Sequence, residues 1–401
     1  MVNTRAQIRK TQSILKICFS KTSIEGFDHQ STRSGALIGS IDDLLIEILL
    51  RLPVTSILRF KSVSKHWRWL LSHRRFTLLY DNLKKSPGLF SRNIYVPFDV
   101  ENQSTPPFHT PDFCFDPCGI QILQSCNGLL LCSGDRVSRC NRKYYVYNPT
   151  TKQVSIIPSV PGGQKVRRTI CFMGLAFHQT DCVHYKILCI RWIKPEETRY
   201  QIQIYLSETG KWKITGESFS SNYFTKGVYW NGAIHWTPSC QNPFYFKVDV
   251  ERLQVFPVPV PVNDIDGAMS LYFGESRGHL HLVEAADDDN DLHLNVYEML
   301  IDHSGWFVKY QVELDELPGA FPEMIRSCQY RPSRYYYKFN VVDVVRGEKE
   351  EDTFMVLSIS EKIIRYNVHN KSFKKIISTP TYPFCVVHEE VHRYIETLSS
   401  F

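Results

Sequence analysis

Apolar positions are dense in residues 41–80, where they are interrupted by signals for short helices. Asp42 and Asp43 can cap a first helix that continues through Leu50, and Pro53 suits the first turn of a second helix near Val54 to Phe60. Ser62 or Ser64 can cap a third helix. This segment therefore predicts a small unit of three short helices.

The helical segment carries more apolar residues than it can bury. A surface helix needs one apolar stripe, but the apolar residues of the first helix cover more than one side. About forty residues form only a small core. The apolar residues are Leu44, Leu45, Ile46, Ile48, Leu49, Leu50, Leu52, Ile57, Leu58, Phe60, Val63, Trp67, Trp69, Leu70 and Leu71. The segment therefore requires a partner, which is either the remainder of the chain or a second protein with a groove for helices.

From Cys118 onward the chain consists of short apolar runs separated by turn sequences such as Asn-Gly and Asn-Pro, a pattern typical of strands. The runs recur in pairs, and the leading runs lie roughly 45 to 55 residues apart, which is the period of propeller blades. Each blade becomes stable by stacking on its neighbours in a closed ring. The recurring pairs begin near residues 126, 173, 228, 278 and 354.

This repeat predicts an all-β domain of about five to seven blades, with a two-sheet β-sandwich as the structural alternative. The gap before the fifth pair has room for a further unit around Tyr335 to Val345. Residues 384–401 either close the ring as a strand or pack as a short helix.

Shifts in composition divide the chain into four segments. Residues 1–39 are polar and basic, which predicts a disordered leader, with a transit peptide as the weaker alternative. Residues 40–81 form the helical unit, and residues 82–119 contain several prolines, which predicts a linker. Residues 120–398 form the β-domain. The predicted fold class is α+β multidomain, with an N-terminal trihelical unit followed by an all-β, propeller-like domain.

The composition is that of an ordinary folded protein, since the 401 residues are 43% hydrophobic and 13% aromatic. No apolar run reaches the roughly 18 residues that a membrane-spanning helix requires. The 12 cysteines form no CxxC pair, which indicates reduced thiols in the cytoplasm or nucleus.

The net charge of +6 comes from residues 1–80, which hold 13 Lys and Arg against 5 Asp and Glu. The remainder of the chain is close to neutral. A surface for DNA or RNA would therefore have to lie in the N-terminal part and not in the β-domain.

Candidate catalytic and metal-binding residues are few. His178, Cys182 and His184 have the residue types of metal ligands and share one face of a strand, but no matching pair completes a zinc set. His279 and His281 share the same spacing, and packing is the expected role of both groups. The acidic run 287–291 lacks the glycine and the final glutamate of an EF-hand loop. No phosphate-binding loop and no GxSxG motif occurs. We therefore expect no catalytic residue, no metal and no cofactor.

The run DDLLIEILLRLPVTSILRFKSVSKHWRWLL, residues 42–71, resembles the F-box of plant F-box proteins. The resemblance implies docking on the Skp-type adaptor of a cullin-RING (SCF) ubiquitin ligase. Carried over by position, the adaptor-binding and core residues are Leu44, Leu45, Ile48, Leu49, Leu52, Pro53, Ile57, Leu58, Phe60, Val63 and Trp67. The family usually has Leu-Pro before the acidic pair, whereas this chain has Ser40-Ile41, which lacks the fixed φ of proline.

The β-domain resembles the F-box-associated, kelch-like domain of the same proteins. The matching residues are Ser125–Leu129, Tyr147–Thr151, Gly227–Trp236 and Tyr394–Leu398. The resemblance implies that the chain is a non-catalytic subunit of a ubiquitin ligase complex in the nucleus or cytoplasm. The F-box would hold the adaptor, and through it the cullin and RING subunits, while one rim of the β-domain captures a target protein for ubiquitination.

Three other interpretations remain. An enzyme or lectin-like propeller with a helical appendage predicts polar side chains that converge at the centre of the ring. A nucleic-acid-binding protein that uses residues 1–80 predicts binding that depends steeply on salt. An F-box protein without ligase function would follow from the replacement of Leu-Pro by Ser40-Ile41.

Overall fold

The computed structural model describes residues 42–83, 87–91, 94–98, 119–134, 142–162, 166–194, 199–220, 226–236, 243–259, 270–285, 292–328, 331–360, 362–378 and 391–401. The chain divides into two compact units. One unit, here called the helical unit, comprises residues up to 85 together with 398–400, and the β-domain comprises residues 86–397 and 401. The predicted leader, residues 1–39, and the acidic run 287–291 lie outside the described residues.

Within its described residues 42–83, the helical unit contains one helix more than the sequence predicts. Its helices are α1 (Asp42–Leu49), α2 (Val54–Phe60), α3 (Lys65–Ser72) and α4 (Arg74–Leu83). Of the two predicted caps, Ser64 caps α3, and its Oγ accepts a hydrogen bond from the Trp67 backbone N–H at 3.1 Å. Tyr80 of α4 is buried and donates its hydroxyl to the Leu52 carbonyl at 2.9 Å. This buried contact attaches α4 to the rest of the unit.

A residue from the far end of the chain completes the core of the helical unit. The Leu398 side chain is buried among the apolar residues of the helices. Its backbone N–H donates to Oδ1 of the buried Asp81 at 3.1 Å. The hydrogen bond gives the Asp81 carboxylate a partner, which a buried charged group requires.

The β-domain contains the strands that the apolar runs predict, and others besides. They are β1 (Pro87–Ser91), β2 (Ile94–Pro97), β3 (Ile120–Cys126), β4 (Leu129–Gly134), β5 (Tyr144–Asn148), β6 (Gln153–Ile157), β7 (Ile170–His178), β8 (Cys182–Lys194), β9 (Arg199–Leu206), β10 (Lys211–Ser220), β11 (Gly227–Trp230), β12 (Ala233–Trp236), β13 (Phe244–Lys247), β14 (Arg252–Val255), β15 (Tyr272–Ser276), β16 (His279–Ala285), β17 (His293–Met299), β18 (Trp306–Glu313), β19 (Ile325–Cys328), β20 (Arg331–Tyr337), β21 (Asn340–Val345), β22 (Phe354–Ile359), β23 (Lys362–Asn367), β24 (Phe373–Ser378) and β25 (Val391–Ile395), with a short helix α5 (Leu317–Ala320).

These strands form a six-bladed propeller in the described residues. Five blades are four-stranded antiparallel sheets, β3–β6, β7–β10, β11–β14, β15–β18 and β21–β24, and the sixth has the order β2-β1-β25. The inner strands β3, β7, β11, β15 and β21 contact one another in sequence, and β25 contacts β3. The inner strands β21 and β25 are joined by an ion pair between Asp343 and Arg393, whose Oδ2 and Nε atoms lie 3.3 Å apart. The ring predicted by the repeat is present, and the β-sandwich alternative is wrong.

The sixth blade is built from the two ends of the β-domain. Residues 87–97, which the sequence assigns to the linker, form β1 and β2, and β1 pairs with β25. Pro87 is the first residue of β1, a position at which a strand tolerates proline. For residues 384–401 the sequence allowed either a strand that closes the ring or a short helix. Residues 391–395 are a strand that pairs with β1.

The extra unit predicted around Tyr335 to Val345 is not a blade. Residues 340–345 are the inner strand of the fifth blade, and β19 and β20 form a separate two-stranded hairpin. The apolar pattern identified the strands correctly, but a strand's sequence alone does not tell which neighbours it pairs with.

Tight turns join the first two strands of several blades. Asn127-Gly128 and Asn231-Gly232 have positive φ at both positions, 46° and 88° in the first and 47° and 74° in the second. Asparagine and glycine tolerate this left-handed backbone, which explains why the Asn-Gly signal predicted the turns correctly.

Tryptophan side chains connect successive blades. Trp212 Nε1 donates to the Pro158 carbonyl at 3.0 Å, and Trp306 Nε1 donates to the Pro257 carbonyl at 2.9 Å. In both cases the tryptophan lies near the start of an outermost strand, and the proline follows the outermost strand of the preceding blade. The same contact therefore recurs at two of the joints between blades.

Candidate functional site

The residues predicted for adaptor binding divide into three groups by exposure. Leu45, Leu49, Leu52 and Ile57 are buried in the core of the helical unit. Ile48, Leu58, Phe60 and Trp67 are half-buried, and Leu44, Pro53 and Val63 are exposed. The sequence could not separate these groups, because spacing along a short helix does not show which face a neighbouring helix covers.

The helical unit exposes large apolar side chains although it has its own core. Leu44 is 39% exposed, Val63 44%, Trp69 58% and Leu79 38%. Trp69 and Leu79 were not among the predicted site residues. Half-buried Trp67 packs edge-on against Phe60, with ring centroids 5.6 Å apart, so truncating it should cost less than the roughly 3 to 5 kcal/mol of a fully buried tryptophan.

Charged side chains border this surface at the start of α1. His66 Nε2 lies 2.8 Å from Asp42 Oδ1, and Arg75 lies 3.8 Å from Asp43. The four side chains are between 44% and 84% exposed, so these pairs contribute little to stability.

A second candidate site is a cavity at the centre of the propeller ring, here called the central cavity. Its volume is about 90 Å³, and it is lined by residues from β3, β11, β15, β21 and β25. The lining side chains that can carry charge are Lys226, Glu275, Asp343, His392 and Arg393, with Tyr272 beside them. The sequence did not show this cluster, because its members come from four separate blades.

The lining of the central cavity contains a hydrogen-bonded group around Asp343, which is 3% exposed. The Tyr272 hydroxyl donates to Asp343 Oδ1 at 2.7 Å, and Arg393 Nε lies 3.3 Å from Oδ2. Burial raises the pKa of the Asp343 carboxyl, and the Arg393 guanidinium opposes that rise. Burial together with the Asp343 charge raises the pKa of Tyr272 well above its ordinary value. Tyr272 is therefore a hydrogen-bond donor and not an ionised base at neutral pH.

His392 is a buried ring in the lining of the same cavity, with 2% of its surface exposed. Among the described residues, neither ring nitrogen meets strict hydrogen-bond geometry, although the ring interacts with the Ile122 backbone. Burial and the nearby Lys226 charge lower the pKa of His392 well below its ordinary value. The imidazole is therefore neutral at physiological pH and offers one donor and one acceptor.

The metal-like residues of the sequence occupy two strand pairs. His178 and Cys182 face each other across the β7–β8 turn, and Cys182 is buried while His184 is exposed. His279 and His281 flank Glu298 of the adjacent strand, with shortest distances of 2.7 and 3.7 Å. Within the described part of the chain, no group of three or more His, Cys, Asp or Glu side chains is arranged to hold a metal ion.

A buried histidine pair joins the third and fourth blades. His235 Nε2 and His303 Nε2 lie 2.9 Å apart, and both residues are buried. The ring of Tyr245 stacks on His303 with centroids 4.3 Å apart. Burial and the neighbouring His303 lower the pKa of His235 to about 3. The sequence assigned the motif that contains His235 to a strand but gave no sign of its partner.

In the described residues, no helix is both long and apolar enough to cross a membrane.

Two family models match the chain, and together they span most of it. The F-box domain model matches residues 42–78. The model described as the F-box associated beta propeller domain matches residues 99–385. The first match covers helices α1 to α3 and the first half of α4, and the second includes most of the six-bladed ring.

Relatives from Arabidopsis thaliana match over similar lengths. F-box protein At5g07610 is 32% identical over 378 residues, which cover 86% of this chain and 87% of that protein. F-box protein At5g49610 is 26% identical over 72% of this chain and 83% of its own length. F-box/kelch-repeat protein At3g23880 is 25% identical over 60% of this chain and 71% of its own length.

Proposed function

Because the chain belongs to the F-box proteins that carry an F-box-associated β-propeller domain, we propose that it is the substrate-recognition subunit of an SCF-type ubiquitin ligase. The helical unit docks on a Skp-type adaptor, which connects it to the cullin and RING subunits. The β-domain holds a target protein near the ubiquitin-transfer machinery. Ubiquitination then follows from a raised effective concentration and not from chemistry performed by this chain.

The observation that carries this proposal is the exposed apolar surface of the helical unit. Leu44, Val63 and Trp69 are exposed although the unit has a core of its own. Exposed apolar surface on a small unit is typical of a protein interface. We propose that these residues contact the adaptor directly. The buried members of the predicted set, such as Leu49 and Ile57, support the contact by holding the helices in place.

The length of the connections between strands supports target capture at one edge of the ring. The connections between strand ends at the edge where the inner strands begin include residues 135–143, 158–169, 256–271 and 379–390. Those at the opposite edge include residues 127–128, 149–152, 207–210, 231–232 and 248–251. Long connections vary more freely than tight turns and carry most recognition surfaces. We place target capture at the edge with the long connections.

We also propose that the protein is non-catalytic and acts in the nucleus or cytoplasm. Cys126, Cys132, Cys182 and Cys189 have free thiols. Burial raises the pKa of the Cys189 thiol to about 12, which makes it a poor nucleophile. Free thiols are typical of proteins in reducing compartments.

Binding to a purified Skp-type adaptor tests the proposal. We expect Leu44→Asp and Val63→Asp to abolish capture of the adaptor at low and high salt, because each places a charge on the exposed apolar surface. Ile301→Asp is the matched control, since Ile301 is 74% exposed on the β-domain. Leu52→Asp is a poor test, because Leu52 is only 8% exposed and the variant would disturb the core. If the folded wild-type chain fails to bind the adaptor, the Ser40-Ile41 departure matters and the ligase proposal fails.

One observation favours a second function, that of a ligand-binding propeller. That alternative predicts polar side chains converging at the ring centre, and Asp343 and Arg393 lie there in contact. The two functions are compatible in one chain, because the helical unit and the central cavity use separate residues.

A further inference from the structure

The central cavity is a polar site built from residues that are far apart in sequence. Lys226, Tyr272, Asp343, His392 and Arg393 come from β15, β21 and β25 and from the residue before β11. We propose that this cavity binds a carboxylate group, which is supplied either by a small organic acid or by a peptide. The proposal is independent of adaptor docking and uses none of the residues of the helical unit.

The Arg393 guanidinium provides the principal donors. Its side chain is 15% exposed, its Nε lies 3.3 Å from Asp343 Oδ2, and it also hydrogen-bonds to the Tyr272 hydroxyl. A guanidinium has five N–H donors in a planar fork. Within the described part of the chain, these two acceptors leave donors of Arg393 available for a ligand. Paired N–H groups on a planar fork match the two oxygens of a carboxylate.

The charge of Lys226 adds to that of Arg393 at this cavity. Its Nζ donates to the Val391 carbonyl at 2.9 Å, which holds the ammonium group at the cavity wall. His392 is buried in the same wall, with both ring nitrogens outside hydrogen-bond geometry to any described residue. The His392 ring also interacts with the Ile122 backbone, so Lys226 and Arg393 are the groups that provide donors to a ligand.

The position of Tyr272 is fixed by a glycine in the same strand. A Cβ atom at Gly274 would lie 2.1 Å from the Tyr272 hydroxyl oxygen, so the ring lies directly over the Gly274 backbone. This arrangement places the hydroxyl 2.7 Å from Asp343 Oδ1. The Asp343 carboxylate is thereby hydrogen-bonded at Oδ1 by Tyr272, and at Oδ2 it is paired with the Arg393 charge.

Size and charge favour a carboxylate over a phosphate. The cavity of about 90 Å³ is smaller than typical small-molecule pockets, which begin near roughly 300 Å³, so it accepts one functional group and not a whole ligand. Asp343 and Glu275 in the lining balance the charges of Lys226 and Arg393. A dianionic phosphate would therefore meet more repulsion than a carboxylate with a single negative charge.

Calorimetric titration of the full-length chain tests the proposal. The probes are acetate, inorganic phosphate, and two short peptides that are identical except for a free or an amidated C-terminus. The variant is Lys226→Met, and the matched control is Lys186→Met, because Lys186 forms a surface pair with Asp249 outside the cavity. Arg393→Lys is a second variant that keeps the charge and loses the planar fork. Circular dichroism establishes that each variant is folded.

We expect acetate to bind more tightly than phosphate. We expect Lys226→Met and Arg393→Lys each to weaken acetate binding by about tenfold or more, because each variant loses one charge-assisted hydrogen bond. The control variant Lys186→Met should leave acetate binding unchanged. Binding by the free peptide and not by its amide assigns the site to a peptide carboxylate, whereas binding by acetate alone assigns it to a small acid. The proposal is overturned if no carboxylate probe binds, if phosphate binds more tightly, or if the two lysine variants behave alike. A failure of adaptor binding would leave this outcome unaffected.

Discussion

Protonation of the buried His235–His303 pair should make the β-domain lose stability in mild acid. In the native state the two Nε2 atoms lie 2.9 Å apart, so one nitrogen donates and the other must accept. His235 is fully buried, and its pKa is lowered to about 3, first by burial and then by His303. In the unfolded chain the same ring has the ordinary histidine pKa of about 6.5.

The direction of the effect follows from the number of protons that each state binds. Between pH 6.5 and 3 the unfolded chain carries a proton on His235 that the native chain does not, so the free energy of unfolding falls as the pH falls. From pH 7.5 to 5.5 this one group should remove about 1.4 kcal/mol of stability. Above pH 7.5 its contribution is complete and constant.

The variant His235→Phe isolates this effect, because it keeps an aromatic ring beside Tyr245 and removes the titrating group. At pH 7.5 it should be less stable by about 1 kcal/mol, since it loses the hydrogen bond to His303. Urea unfolding followed by tryptophan fluorescence at pH 7.5 and 5.5 should show this difference change by about 1.4 kcal/mol, so that at pH 5.5 the variant is the more stable protein by about 0.4 kcal/mol. His184→Phe, at an exposed histidine, is the control. Identical pH dependence of wild type and His235→Phe would refute the reasoning.

Three further predictions concern single contacts. Tyr394→Phe removes a buried hydroxyl that lies 2.5 Å from Thr150 Oγ1. Thermal unfolding should show that the free energy of unfolding falls by about 1 to 3 kcal/mol. An unchanged melting temperature would mean that water replaces the contact. Gly274→Ala should displace the Tyr272 ring and weaken carboxylate binding in calorimetry without unfolding the β-domain; equal binding would show that the ring position is unimportant. Leu398→Asp should destabilise the helical unit and reduce adaptor capture, because Leu398 is 1% exposed in its core; wild-type capture by this variant would contradict that packing.

The sequence by itself determined the elements whose signals are local. A helix cap at Ser62 or Ser64, the turn at Asn127-Gly128 and the helix after Pro53 each depend on a few neighbouring residues, and the structure selects Ser64 as the cap. The regular spacing of apolar runs likewise determined that the β-domain is a ring of repeated blades, because each blade repeats the same local pattern. The F-box resemblance rests on one continuous stretch, residues 42–71, and the match of the F-box domain model to residues 42–78 confirms it.

Tertiary structure alone decided the features that join distant residues. The sixth blade pairs Pro87–Ser91 with Val391–Ile395, and no local pattern links strands so far apart. Exposure likewise separated Leu44 from Leu45, because which side of a short helix is covered depends on how the neighbouring helices pack. The central cavity exists only because ring closure brings Asp343 and Arg393 together, and a long-range contact of this kind leaves no periodic signal in the chain.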